Sequence, residues 1–180
     1  MRRILPGDLN KTQLIDRILR VNHAGEFGAK RIYEGQLSVL KDQASAEPIR
    51  HMYQQELHHL KTFEEMLPAH NARPTLLYPL WNIAGFALGA ATALMGAKAA
   101  MACTIAIEEV IDEHYQKQAE ALKEENEPQL SETIEKFRSE EAEHRDIGIK
   151  EGGEQAQGYV LLSTVIKSGS RLAIWLSERI

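Results

Sequence analysis

Thiols are almost absent from this chain: Cys103 is the single cysteine in 180 residues. An internal disulfide framework is thereby excluded, as is any zinc or iron–sulfur site built on several thiolates, and a reducing compartment is expected. Positive charge is in the minority, with 21 Lys and Arg against 26 Asp and Glu and a net charge of -5. No long basic run is present to neutralise phosphates, so a nucleic-acid surface is excluded. Residues Met1 to Asp8 hold neither an apolar core long enough for a signal peptide nor an Arg/Ser-rich amphipathic presequence. The protein is therefore expected to stay where it is made or to have lost an import segment. Charge is also missing from one long stretch, since Lys98 is the only charged residue between Pro74 and Ile107. With 43% hydrophobic residues, the chain is long enough for one well-packed domain and short for two, and a single domain spanning 1–180 is expected.

What is present is a motif used twice. Glu56 is followed three residues later by His59, and Glu141 by His144. On an α-helix, residues i and i+3 share a face, so a carboxylate and an imidazole point at the same place, as a pair of metal ligands would. Each pair is preceded by a glutamate on a separate predicted helix, Glu26 for the first and Glu108 for the second. Each of those glutamates has a tyrosine two turns further on, Tyr33 and Tyr115. The chain reads as a pseudo-repeat of Glu, then Glu-x-x-His.

Helical wheels place all six residues on apolar faces. A first helix, capped by Asn10 with Gln13 three residues later, is predicted to run to about Lys41. Its apolar arc of roughly 140° holds Ile15, Ile18, Leu19, Asn22, Ile32, Tyr33 and Leu40 together with Glu26, while Arg20 falls outside. A lone carboxylate on a buried face costs several kcal/mol unless it is protonated, paired or metal-bound, so Glu26 needs a partner. A second helix, from Pro48 to about Leu67 before Pro68, carries Glu56 and His59 on its apolar arc and turns His58 away. His59 is thereby the metal candidate, the plain alternative being a satisfied core histidine. A helix from about Ala97 to Glu125 holds Glu108 inside its arc, with Asp112 near the edge as a rival ligand. Another from Pro128 to about Lys150 presents Glu141 and His144, with Glu140 and Glu143 pointing away, and Gly152-Gly153 ends it. A last helix over 155–179 either covers the bundle or joins a membrane surface.

The apolar segment 74–107 approaches the length of a membrane span, but Pro and Gly interrupt it and Glu108 follows at once. A hairpin or helix lying in the bilayer interface, anchored by Trp81 and Tyr78, fits better. The alternative is an ordinary buried helix whose small residues allow close packing.

One Glu from each of two helices and Glu-x-x-His from each of two others is the known pattern of ferritin-like di-iron or di-manganese bundles, matched here rather than discovered. The expected fold is all-α, a ferritin-like four-helix bundle with additional amphipathic helices at a membrane interface. Four carboxylates balance two divalent cations, which explains how four buried acids are tolerated together. Oxygen-rich ligation with two imidazoles and no thiolate suits iron or manganese better than zinc or copper.

The runs Arg20 to Ala29, Pro79 to Gly89, Met101 to Glu109, Phe137 to Gly148 and Leu176 to Arg179 resemble the 5-demethoxyubiquinone hydroxylases of ubiquinone biosynthesis, over nearly the whole chain. The resemblance implies metal ligands at Glu26, Glu56, His59, Glu108, Glu141 and His144, holding two iron ions with O2 as co-substrate. It implies a membrane-associated monooxygenase that hydroxylates the benzoquinone ring of demethoxyubiquinone or demethoxyubiquinol. A polyprenyl quinone is then the substrate and a lipid-binding protein of the same pathway the partner. NADH is the implied reductant, although no nucleotide-binding motif is visible. A peripheral position follows, on the matrix side of the mitochondrial inner membrane or the cytoplasmic face of a bacterial membrane, and an oligomer is expected. Where the family usually has Asp-His-Ala-Gly-Glu-Tyr, this chain has Asn22 and Phe27; neither is among the ligands. Tyr115 and His114 are candidates for handling protons or electrons beside the metals, the alternative for Tyr115 being core packing. The rival functions are a soluble ferritin-type iron store, a manganese catalase, or a structural lipid-binding module.

Overall fold

The computed structural model describes residues 9–180; the N-terminal stretch read above for a targeting segment lies outside them. The described residues form six α-helices and no strand: α1 Lys11–Leu40, α2 Ala46–Ala69, α3 Tyr78–Leu94, α4 Ala97–Glu124, α5 Pro128–Lys150 and α6 Tyr159–Ser177, with a 3-10 turn at Gly153–Gln155. The all-α expectation holds. α1 starts where the sequence places it, because Asn10 accepts from the Gln13 backbone N–H while the Gln13 side chain returns a bond to the Asn10 N–H.

Helices α1, α2, α4 and α5 form the bundle, with α3 laid on α1 and α6 on α4. One apolar cluster, including Leu19, Phe63, Tyr115, Leu122, Ile134 and Phe137, fills one end. A second, including Tyr33, Leu40, Ile49, Met52 and Met101, fills the other. Glu26 lies on α1 between the two.

Several boundaries differ from the sequence reading. α2 passes through Pro68, whose missing N–H costs a single bond in the last turn. The last helix begins at Tyr159 rather than at 155, because Gly152 and Gly158 adopt left-handed conformations on either side of the 3-10 turn. The apolar segment 74–107 is not one hairpin unit. Gly96, at φ 113, divides it into α3 and the first turns of α4, and those turns are core, with Ala99 to Ala106 all buried.

α3 rests on α1 through small residues. A Cβ on Gly89 would overlap the Ile32 carbonyl oxygen, and one on Gly35 would overlap the Phe86 carbonyl oxygen. Several large apolar side chains of α3, Leu80 and Ile83 among them, consequently face outward, Ile83 being 70% exposed. α6 does the same: Ser163, Ile166 and Ser177 face in, while Leu161 is 71% and Leu172 57% exposed. Lys167 pairs with Glu109 and Arg171 with Glu113, fastening α6 to α4. Arg20, expected on the wet side, is buried. Its guanidinium donates to the Ser177 and Glu178 carbonyls at the end of α6 and pairs with Asp16 at 2.7 Å, satisfying acceptors that a helix C-terminus leaves open. No helix among the described residues is long and apolar enough to cross a membrane.

Candidate metal centre

All six residues singled out by the repeat converge in the middle of the bundle, and none is more than 3% exposed. α1 brings Glu26, α2 Glu56 and His59, α4 Glu108, and α5 Glu141 and His144. They form two overlapping groups, Glu26 with Glu56, His59 and Glu141, and Glu56 with Glu108, Glu141 and His144. Within each group the ligand atoms lie within 4.8 Å of one another. Glu56 and Glu141 belong to both. His59 Nδ1 stands 3.2 Å from Glu141 Oε1 and 3.4 Å from Glu26 Oε2, and His144 Nδ1 stands 2.9 Å from Glu141 Oε2 and 3.3 Å from Glu56 Oε1.

The residues around the six are exchanged between the halves of the repeat. Tyr115, which follows Glu108 on α4, donates its hydroxyl to Glu26 of α1. Tyr33, which follows Glu26, donates to Glu108 at 3.3 Å. Glu140, expected to point away, instead places Oε2 2.5 Å from His59 Nε2. Glu140 stands three residues after Phe137 and four before His144, at the edge of the inward face, and its side chain of two methylenes reaches the neighbouring helix. Gln55, not singled out by the sequence, meets His144 Nε2 at 2.9 Å. The available signal was position, since Gln55 and Glu140 each stand immediately before a motif glutamate. Asp112 is not in the cluster: it binds Arg138 at 2.7 Å. His58 is exposed, as expected, and Phe137 stacks on His59 with centroids 4.0 Å apart.

Electrostatics follow from burying four carboxylates beside two imidazoles. Burial, then the charges of neighbouring glutamates, pushes Glu56 and Glu108 well above the usual carboxylate range. Burial also acts to raise Glu141, but hydrogen bonds with His144 and His59 outweigh it and bring it to about 2. For His59, burial acts downward, and hydrogen bonds to Glu141 and Glu26 overcome it and carry the imidazole up to about 12. Neither oxygen of Glu56 has a hydrogen-bond donor, although unsatisfied buried acceptors are costly. Two divalent cations between these groups would supply the missing partners and balance the four charges, so the residues fit a dinuclear centre of oxygen- and nitrogen-loving metal.

A cavity of about 40 Å³, lined by Glu26, Glu56, Glu108, Glu141, His114 and Tyr115, adjoins the cluster, with room for a few atoms. Gln118 and Asn22 exchange amide hydrogen bonds at 2.8 and 2.9 Å, and the same Gln118 amide group meets His114 Nε2 at 2.7 Å. Burial, followed by the charge of Lys117, lowers the His114 pKa to about 4. A larger groove of about 400 Å³ runs between α1, α3, α4 and α6, almost wholly apolar. Val21, Gly25, Ala29, Ile107, Ile111 and Ile174 line both spaces, so the groove lies directly against the cavity that holds the carboxylates. Trp81, expected as an interface anchor, lines this groove and donates its indole N–H to Ser177 at 3.0 Å. Tyr78 stacks on Phe27.

Residues 13–177 match the family model described as ubiquinone biosynthesis protein COQ7. The chain is 56% identical over 177 residues to 3-demethoxyubiquinol 3-hydroxylase of Rhodospirillum rubrum, covering 98% of this chain and 83% of that protein. It is 50% identical over 169 residues to the human NADPH-dependent 3-demethoxyubiquinone 3-hydroxylase, mitochondrial, covering 92% and 78%. It is 41% identical over 182 residues to the 5-demethoxyubiquinone hydroxylase, mitochondrial, of Saccharomyces cerevisiae, covering 92% and 78%.

Proposed function

This chain belongs to the COQ7 family of ubiquinone biosynthesis proteins, and we propose that it is the monooxygenase that hydroxylates the ring of a demethoxyubiquinol. The observation that carries this reading is the apolar groove lined by α1, α3, α4 and α6, which lies against the cavity of the buried carboxylate cluster. A quinone ring with a long polyprenyl tail needs such a path, and an iron store or a manganese catalase, whose substrates are small and polar, does not. The whole chain is read as a single domain built around this centre.

Glu26, Glu56, His59, Glu108, Glu141 and His144 would hold two iron ions, with Glu56 and Glu141 shared between them. The irons would supply activation of O2, one oxygen atom entering the ring and the other leaving as water with two electrons and two protons from a reductant. The protein's part is orientation, exclusion of water and proton handling. Tyr115 and Tyr33 hold Glu26 and Glu108 through their hydroxyls. His114, neutral and lining the inner cavity, is placed to exchange a proton with the ring hydroxyl. The reductant is a reduced nicotinamide, NADH by the resemblance in the sequence and NADPH by the names of the human and bovine relatives.

The outward apolar faces of α3 and α6 support peripheral membrane contact at the mouth of the groove. That surface would be the matrix face of the mitochondrial inner membrane or the cytoplasmic face of a bacterial membrane. A lipid-binding partner protein and self-association belong to the same reading.

The test is metal analysis of the purified chain, then addition of a demethoxyubiquinol analogue, O2 and either nicotinamide. About two irons per chain with ring-hydroxylated product is expected. Two metals without product would move the function to metal storage or peroxide chemistry, and no bound metal would overturn the centre itself.

A further inference from the structure

The two histidines of the centre are held from behind, and each is held by the other half of the repeat. His59 of α2 presents Nδ1 to the carboxylate cluster and Nε2 to Glu140 of α5 at 2.5 Å. His144 of α5 presents Nδ1 to the cluster and Nε2 to Gln55 of α2 at 2.9 Å. Gln55 and Glu140 occupy the same position in their motifs, one residue before Glu56 and Glu141. The arrangement is reciprocal in geometry and unequal in chemistry, for one support is a carboxylate and the other an amide.

A carboxylate and an amide oxygen can only accept hydrogen bonds. Each support therefore requires a proton on Nε2, and in the metal-bound imidazole this leaves the Nδ1 lone pair for the metal. The Glu140 carboxylate adds negative charge behind His59 and draws on its Nε2–H, making the ring a stronger donor. Gln55 offers a neutral dipole. Lys136 Nζ, 3.7 Å from Glu140 Oε1, moderates this charge without cancelling it, since the pair is partly solvated.

We propose that Glu140 and Gln55 are positioning residues exchanged between the two halves of the centre, and that their difference makes the halves unequal, the His59 half taking the first divalent cation. The inference rests on the metal-centre reading above and adds an order of filling to it.

The test is anaerobic titration of the metal-free full chain with 57Fe(II), with affinities from chelator competition and Mössbauer spectra at one and two equivalents. The wild-type protein should fill in two separated steps, with one dominant iron environment after the first equivalent and a second appearing with the next. Glu140→Gln keeps the acceptor and removes the charge. It should weaken the first step by about 10–100-fold, so that the steps merge and both environments appear together from the start. Gln55→Glu should tighten the second step and narrow the gap from the other side. Circular dichroism and thermal melting of each variant check folding, and because the variants alter opposite halves, either one alone decides the question. Two irons bound by Glu140→Gln with the same separated affinities and spectra as wild type would overturn the proposal, as would Gln55→Glu leaving both steps unchanged. A wild-type chain that binds fewer than two irons would instead overturn the metal-centre reading beneath it.

Discussion

Glu56 and Glu141 differ from the other four residues of the candidate centre because each belongs to both groups of ligand atoms. Glu141→Ala should therefore empty both positions, whereas Glu26→Ala should leave about one metal per chain, a difference that metal analysis reads directly. In the metal-free protein Glu56 is a liability. An acid whose folded pKa is raised destabilises the fold increasingly as pH climbs above the usual carboxylate range, where the unfolded chain ionises first. Glu56→Gln should accordingly stabilise the metal-free protein by about 1–4 kcal/mol near neutral pH while abolishing the rise in melting temperature caused by iron. Calorimetry with and without metal checks both. His114 runs the other way. With its folded pKa lowered to about 4, the unfolded chain takes up a proton first as pH falls from about 6.5, so its contribution to stability declines across that window. NMR titration of the His114 ring should show it neutral down to about pH 4. The cluster members were readable because i, i+3 spacing fixes a common face within one helix. Glu140 was not, because reaching His59 depends on a neighbouring helix that the wheel does not contain.

At the scale of elements, α1 is used on several sides. Its Glu26 faces the centre, Gly35 admits α3, and Gly25 lines both the inner cavity and the outer groove. A Cβ at Gly25 would meet nothing within 4 Å. Gly25→Ala should raise stability by about 1 kcal/mol from helix propensity alone. Gly25→Leu should fill the groove, leaving iron content unchanged while kcat/KM for the quinone falls by about tenfold or more, the equivalent of about 1.4 kcal/mol. Gly89 is the opposite case, because the Ile32 carbonyl occupies the space a side chain would need. Gly89→Val should cost about 1–3 kcal/mol or more and loosen α3, seen as a lower melting temperature and faster proteolysis near residues 70–77. Iron should still bind to the folded fraction, because none of the six residues lies on α3. The sequence announced α3 as apolar nearly all round. Which side would be buried was not readable there, because the inward face is made of glycine, alanine and threonine and the larger side chains are left outside.

On the scale of the whole molecule, α3 and α6, which both line the groove, turn many of their larger apolar residues outward, an inversion of the usual pattern for a helix on a bundle. Leu161→Glu combined with Leu172→Glu should leave fold and iron content intact and reduce sedimentation with vesicles of neutral and anionic phospholipid. Unchanged sedimentation would remove the membrane from the reading. The sequence by itself determined the helices, the faces carrying Glu26, Glu56, His59, Glu108, Glu141 and His144, and the donor chemistry, because helical periodicity and residue type are properties of each segment alone. Only the tertiary structure decided that Glu56 and Glu141 are shared, that Tyr33 and Tyr115 cross over to the other half's glutamate, that Asp112 is taken by Arg138, and that Glu140 and Gln55 stand behind the histidines. Each of these is a relation between side chains on different helices, set by how the helices lie against one another, and a distance between helices is written in no single stretch of chain.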